Sequence, residues 1–207
     1  MTSSTPMLIY QNIFRNSSGG GMWWNFFDNG ATDPTWIRVF NNTFVNNPGG
    51  AGVAALNNAA FKAGTHGLFW NNIVYGGDVS VRMDTTDLVT NTQKDRFDFD
   101  HNVYFGSSVF GDLAGAGRTF QAWQGLGQDL AGVVADPLFV SSTDLRLRAD
   151  SPARNVGRAV YNVGGTNGAT IPAGAYITGS ESIGPTAGYT PPVARPSAPR
   201  NLRVRAP

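Results

Sequence analysis

The sequence contains no cysteine, so neither a disulfide framework nor a thiolate metal centre can hold it together. That absence alone does not separate a secreted protein from a cytosolic one. Charge is also scarce: 14% of the 207 residues are Asp, Glu, Lys or Arg, the net charge is +1, and the basic residues are scattered until the final stretch. A concentrated phosphate-binding surface is missing, and nucleic acid is not expected as a partner. No apolar run approaches the ~18 residues of a membrane span, so no membrane partner is expected either. The opening Met1-Thr-Ser-Ser-Thr-Pro6 lacks the basic and apolar regions of a signal peptide. Good helix formers are thin as well, with few Lys, Glu or Leu. In their place stand 26 Gly and many Asn, aromatic and β-branched residues. This composition suits short strands joined by tight turns, which makes the chain all-β. Its length allows one substantial core with a short tail.

Against this background an asparagine recurs at Asn12, Asn42, Asn72 and Asn102, each 30 residues after the last. The surrounding segments align as Met7-Leu-Ile-Tyr-Gln-Asn-Ile-Phe14, Ile37-Arg-Val-Phe-Asn-Asn-Thr-Phe44, Gly67-Leu-Phe-Trp-Asn-Asn-Ile-Val74 and Phe97-Asp-Phe-Asp-His-Asn-Val-Tyr104. Alternation puts Met7/Ile9, Ile37/Val39, Gly67/Phe69 and Phe97/Phe99 on an inner face, and the inner set resumes at Phe14, Phe44, Val74 and Tyr104. Each Asn between the two strands is expected to turn the chain in the left-handed conformation and to bond to its equivalent one repeat away, forming a structural ladder. Third strands are expected near Gly21–Phe27, Gly52–Asn57, Val79–Asp84 and Val109–Leu113. A propeller or sandwich would instead need hairpin turns between the repeated strands, and Asn29-Gly30 and Asn167-Gly168 fall outside them. A unit of this kind cannot bury its apolar face alone, so the repeats should stack. The expected architecture is a right-handed parallel β-helix, a solenoid of about four to six coils.

From Thr119 the period gives way to Trp123, Gly127-Gln-Asp129, Asp136-Pro-Leu-Phe-Val140, Asp144-Leu-Arg-Leu147 and Ser151-Pro-Ala153. Read from its residues, this stretch should form a short helix near Phe120–Gly125, an extended run through Leu138 and a corner at Ser151-Pro152. It should cover the open edge of the last repeat. With the repeats, and over roughly Leu8 to Ile183, it resembles the C-terminal part of right-handed parallel β-helix repeat proteins, the pectate-lyase-like and chondroitinase-B-like superfamily. The expected domain covers residues 1–184, with an irregular C-terminal cap from about 119. Residues 185–207 form a Pro-rich linker in which Pro196–Val204 resembles the start of a fibronectin type III module. On this resemblance the chain is expected to be extracellular or periplasmic, and part of a secreted modular protein with further coils upstream. An unprotected first coil would be covered by an N-terminal segment or would self-associate.

The resemblance implies polysaccharide as the partner, either bound or processed. Lyases of this superfamily remove a proton beside a uronate carboxylate with a Lys, Arg or His while calcium or Arg stabilises the anion. Lys and His each occur only twice, as Lys62, Lys94, His66 and His101. The candidates for catalysis are Lys94, Arg96, Asp98 and Asp100, the last three projecting from one outer face if the alternation holds. Asp98 and Asp100 could share a calcium ion, could serve as acid and base, or could be a solvated ion-pair face. Asp84 and Asp87 are a weaker carboxylate pair. His101 reads as a hydrogen-bonded neighbour of the ladder rather than a base. Tyr10, Phe40 and Trp70 share one outward position and would stack into an aromatic column suited to sugar rings, unless a loop or the C-terminal segment covers it. Trp23, Trp24, Phe26, Phe27 and Trp36 add aromatic density in the first inter-repeat loop. No lyase or hydrolase motif is matched residue by residue. A carbohydrate-binding or polysaccharide-processing domain, a competent lyase or glycoside hydrolase, and a non-catalytic adhesive scaffold all remain open.

Overall fold

The computed structural model of the chain describes residues 7–18, 20–22, 36–47, 66–83, 97–113 and 115–183. Their regular secondary structure is almost entirely β, with mostly parallel pairing. Strands β1 (Met7–Tyr10), β3 (Trp36–Phe40), β5 (His66–Trp70) and β8 (Phe97–Asp100) form a first sheet in the order β1-β3-β5-β8. A second sheet joins β2 (Ile13–Arg15), β4 (Thr43–Val45), β6 (Ile73–Tyr75), β9 (Val103–Phe105) and β12 (Val133–Val134) in the order β12-β9-β6-β4-β2. In a third, β7 (Val79–Met83) pairs in parallel with β10 (Val109–Leu113), which turns back into the antiparallel β11 (Ala116–Arg118). The offset between parallel partners is that of the repeat: Met7 faces Ile37, Ile37 faces Gly67, and Gly67 faces Phe97. The expected third strands at Val79 and Val109 are present. Those near Gly21 and Gly52 fall on residues mostly outside the described ones.

Hydrophobic alternation explains the register, since a slip of one residue would turn every apolar side chain out of the core. Val39, Phe69 and Phe99 of the first sheet are buried against Phe44, Val74 and Tyr104 of the second, with Val81 of the third completing the cluster. Aromatic rings run through it: Phe14 stacks on Phe44 at 4.9 Å and Phe69 lies 5.3 Å from Phe99.

The corner between the first two sheets is an amide column. Asn42 Oδ1 accepts from Asn12 N at 3.0 Å and Asn12 Nδ2 at 3.1 Å, and the same pair of bonds joins Asn42 to Asn72 and Asn72 to Asn102. The left-handed residue is not the ladder Asn, as the sequence suggested, but the one before it: Gln11, Asn41, Asn71 and His101 have φ between 53° and 58°. One residue turns the chain, and the next is then free to aim its carboxamide along the stack. A second corner follows, with Asn16, Asn46, Gly76 and Gly106 all at positive φ. Here Asn47 Oδ1 accepts from Ser17 N and its Nδ2 reaches Phe14 O. At the third position, φ is +70° and a Cβ on Gly76 would sit 2.4 Å from Asn46 Oδ1, so any other residue there would have to displace the Asn46 side chain.

The period continues half a repeat further than the sequence indicated, since Val133 pairs with Val103. Position 132 is glycine rather than asparagine, and Asp129 comes from outside the period to end the column. Its Oδ1 accepts from Asn102 Nδ2 at 2.7 Å, and its Oδ2 from Tyr104 OH and Trp123 Nε1. Trp123 belongs to helix α1 (Phe120–Gln124), which is capped by the Thr119 hydroxyl and closes the core cluster. Burial raises the Asp129 carboxyl to about 6, against the pull of its three donors.

The chain then runs back along the stack. After a 3-10 turn at Pro152–Asn155 come β13 (Gly157–Arg158) and β14 (Thr170–Ile171), which pair antiparallel. Arg158 exchanges two hydrogen bonds with the Asn71 side chain, Asn41 Nδ2 donates to Pro172 O, and Ala175 N donates to Thr43 Oγ1. Glu181–Ile183 reach the first repeat, where they line a cavity with Gln11–Phe14. Asn41 and Asn71 are thus buried against this returning segment.

Candidate functional site

Strand alternation sends Arg38, Leu68 and Asp98 outward from neighbouring strands of the first sheet, beside Tyr10, Phe40, Trp70 and Asp100. The returning segment crosses this face. Between them lies a cavity of about 410 Å³ lined by Leu68, Trp70 and Asp98 on the sheet side and by Arg158, Tyr161 and Asn167 on the other.

Each wall contributes a different chemistry. Asp98 is exposed on the strand, but partial desolvation of its carboxyl raises the pKa and the Asp100 charge adds to this, while the Trp70 indole and His101 partly offset it. Trp70 Nε1–H is buried beside it without an aligned acceptor. The Arg158 guanidinium lies against Gly168, the nearest atoms 3.6 Å from where a Cβ would stand, and has no side-chain partner among the described residues. The Tyr161 ring packs 5.4 Å from Phe40 and carries the Arg38 guanidinium 4.4 Å from its centroid. An aromatic wall, a carboxyl that protonates more readily than usual and a guanidinium with no side-chain partner among the described residues therefore line one opening.

The remaining sequence candidates divide. Tyr10 stacks on Phe40 at 5.1 Å with rings 5° apart, but Phe40 is completely buried under Tyr161. Tyr10 is exposed and Trp70 is half-buried, so the column is interrupted at its middle rather than open along its length. Trp70 stacks instead on His101 at 5.3 Å. Asp100 is held locally: its Oδ1 accepts from His101 N and Ala131 N, and its Oδ2 lies 3.1 Å from His101 Nδ1, misaligned for a hydrogen bond. Burial would raise the Asp100 pKa, but these contacts outweigh it and hold the group below its ordinary value. Among the described residues no group of three or more His, Asp or Glu could hold a metal. Lys94, Arg96, Asp84, Asp87, Lys62 and the aromatics Trp23–Phe27 lie outside the described residues, and so does the Pro-rich stretch from 185.

Arg158 and Tyr161, which complete the cavity, were not among the sequence candidates. They lie in a non-repeating stretch with no periodic signal to tie them to Trp70. No protein-family model, curated protein or solved structure matches this chain.

Proposed function

We propose that the repeats form a right-handed parallel β-helix of the pectate-lyase-like kind and that the groove at Trp70, Asp98, Arg158 and Tyr161 is the polysaccharide-contacting surface of a secreted protein. The fold reading is supported by the common offset of 30 residues in three sheets and by the continuous amide column. One observation carries the functional reading: an indole, an exposed carboxyl of raised pKa and a guanidinium without a side-chain partner among the described residues share an opening of about 410 Å³. Sugar rings pack their C–H faces on indole, and their hydroxyls pair with carboxylate and guanidinium.

The same arrangement admits processing as well as binding. A carboxyl with a raised pKa is suited to donating a proton to a glycosidic oxygen, and Asp98 is the residue in the groove with that property. Incubation with a panel of neutral and acidic polysaccharides, followed by reducing ends and unsaturated-product absorbance, separates the two. Product that disappears in Asp98→Asn identifies an enzyme, whereas binding without product identifies a carbohydrate-binding module. A glycan panel that gives neither removes the proposal. The adhesive-scaffold reading has one observation of its own, the sealing of Phe40 beneath Tyr161.

A further inference from the structure

A second cavity, of about 520 Å³, opens between the corner joining β9 to β10 and helix α1. We propose that it binds a small amphipathic monoanion, an aryl or alkyl carboxylic acid, with Arg118 taking the carboxylate. This inference is independent of the groove at Asp98.

The body of the ligand is set by the apolar lining. Tyr104 meets Phe110 edge-on at 5.0 Å and 82°, and Phe110 meets Phe120 at 5.0 Å and 70°. Rings crossed in this way offer edges and crevices rather than the flat face on which a sugar stacks. Val109 and Val134 remain 40% and 56% exposed at the mouth, so apolar surface is available to a ligand. The hydroxyls deeper in the wall are already committed as donors, Ser80 to Ser107 Oγ at 2.8 Å and Ser107 to Gly76 O at 3.2 Å. They offer little to a polyol.

The head group is set by Arg118. Its Nε is buried without an acceptor, it has no ion pair among the described residues, and no carboxylate lines the cavity. Asp112, on the neighbouring strand of the hairpin, is committed to Arg82 at 3.2 Å. A partly buried guanidinium left in this state gains a charge-assisted bond from an incoming carboxylate. Thr119 Oγ1 accepts from Ala122 N at 3.1 Å and keeps its own hydrogen to donate. One cation beside one hydroxyl fits a single anionic head on an apolar body.

Calorimetric titration of the full chain with 4-phenylbutyrate, 4-phenylbutanol and glucuronate tests the assignment. The acid is expected to bind at least tenfold more tightly than the alcohol, and glucuronate to bind much more weakly than either. Arg118→Gln should bring the acid to the level of the alcohol. Ser108→Phe, placed at the exposed mouth where folding is not at stake, should weaken both. Equal binding of acid and alcohol to the natural chain, an acid preference that survives Arg118→Gln, or glucuronate binding as tight as phenylbutyrate would each overturn the proposal.

Discussion

The ladder corner and the outer aromatic column obey the same spacing of 30 residues, yet they end up in opposite conditions. At the corner, Asn12, Asn42, Asn72 and Asn102 bond to one another in an unbroken series, and their surroundings are supplied by the repeats themselves. On the outer face, Tyr10, Phe40 and Trp70 occupy equally regular positions, but the segment around Tyr161 returns from the far end and buries the middle ring. The first column is finished by neighbours one repeat away. The second is edited by chain that belongs to no repeat. Periodicity therefore fixes contacts between repeats, while the candidate groove depends on a long-range crossing.

The comparison is tested hardest inside the ladder. Asn72→Ala strands Asn42 N and Val39 O in a dry interior, and equilibrium denaturation should show a loss of about 3 to 5 kcal/mol. The same change at the exposed Asn12 should cost under about 1 kcal/mol, because water replaces what is lost. Equal losses would mean that burial does not set the strength of the column.

The end of the ladder should be visible as a pH dependence. Asp129 has an ordinary pKa of 3.8 and is raised to about 6 in the folded state, so it binds protons more tightly when folded. Its contribution is complete below the lower value and is lost as pH rises through the higher one, amounting to about 3 kcal/mol. Asp129→Asn should abolish this slope between pH 4 and 7, whatever it does to stability overall.

Two smaller effects concern the returning segment. Gly174 has φ +88°, and a Cβ there would lie 2.6 Å from Ile73 Cδ1, so Gly174→Ala should cost about 2 kcal/mol by lifting the strap from the corner. Tyr161→Ala uncovers Phe40 and removes the ring beneath the Arg38 guanidinium, with an expected loss of about 1 kcal/mol by thermal or chemical unfolding. If neither change matters, the strap is not a structural part of the outer face.

Much of the fold was legible because it repeats. The Asn spacing gave the register of the first sheet, Val79–Met83 and Val109–Leu113 were recognisable as third strands, and the aromatic stretch at Phe120 read correctly as a short helix. The left-handed residue was placed one position late, since Asn-Asn at positions 41–42 and 71–72 offers two residues able to adopt that conformation. Asp129 was invisible as a ladder terminus because its spacing from Asn102 is 27 rather than 30 residues. Half of the candidate groove was legible for the same reason: Trp70 and Asp98 are periodic, whereas Arg158 and Tyr161 reach them through contacts that no local pattern encodes.

The most direct test of the groove is a titration of the full chain with neutral and acidic oligosaccharides, followed by intrinsic fluorescence, for the natural sequence, Trp70→Phe and Arg158→Ala. The account expects a saturable change with at least one glycan, at least tenfold weaker binding in Arg158→Ala, and loss of most of the signal in Trp70→Phe. Saturable glycan binding that both variants retain unchanged would place the contact elsewhere and contradict it.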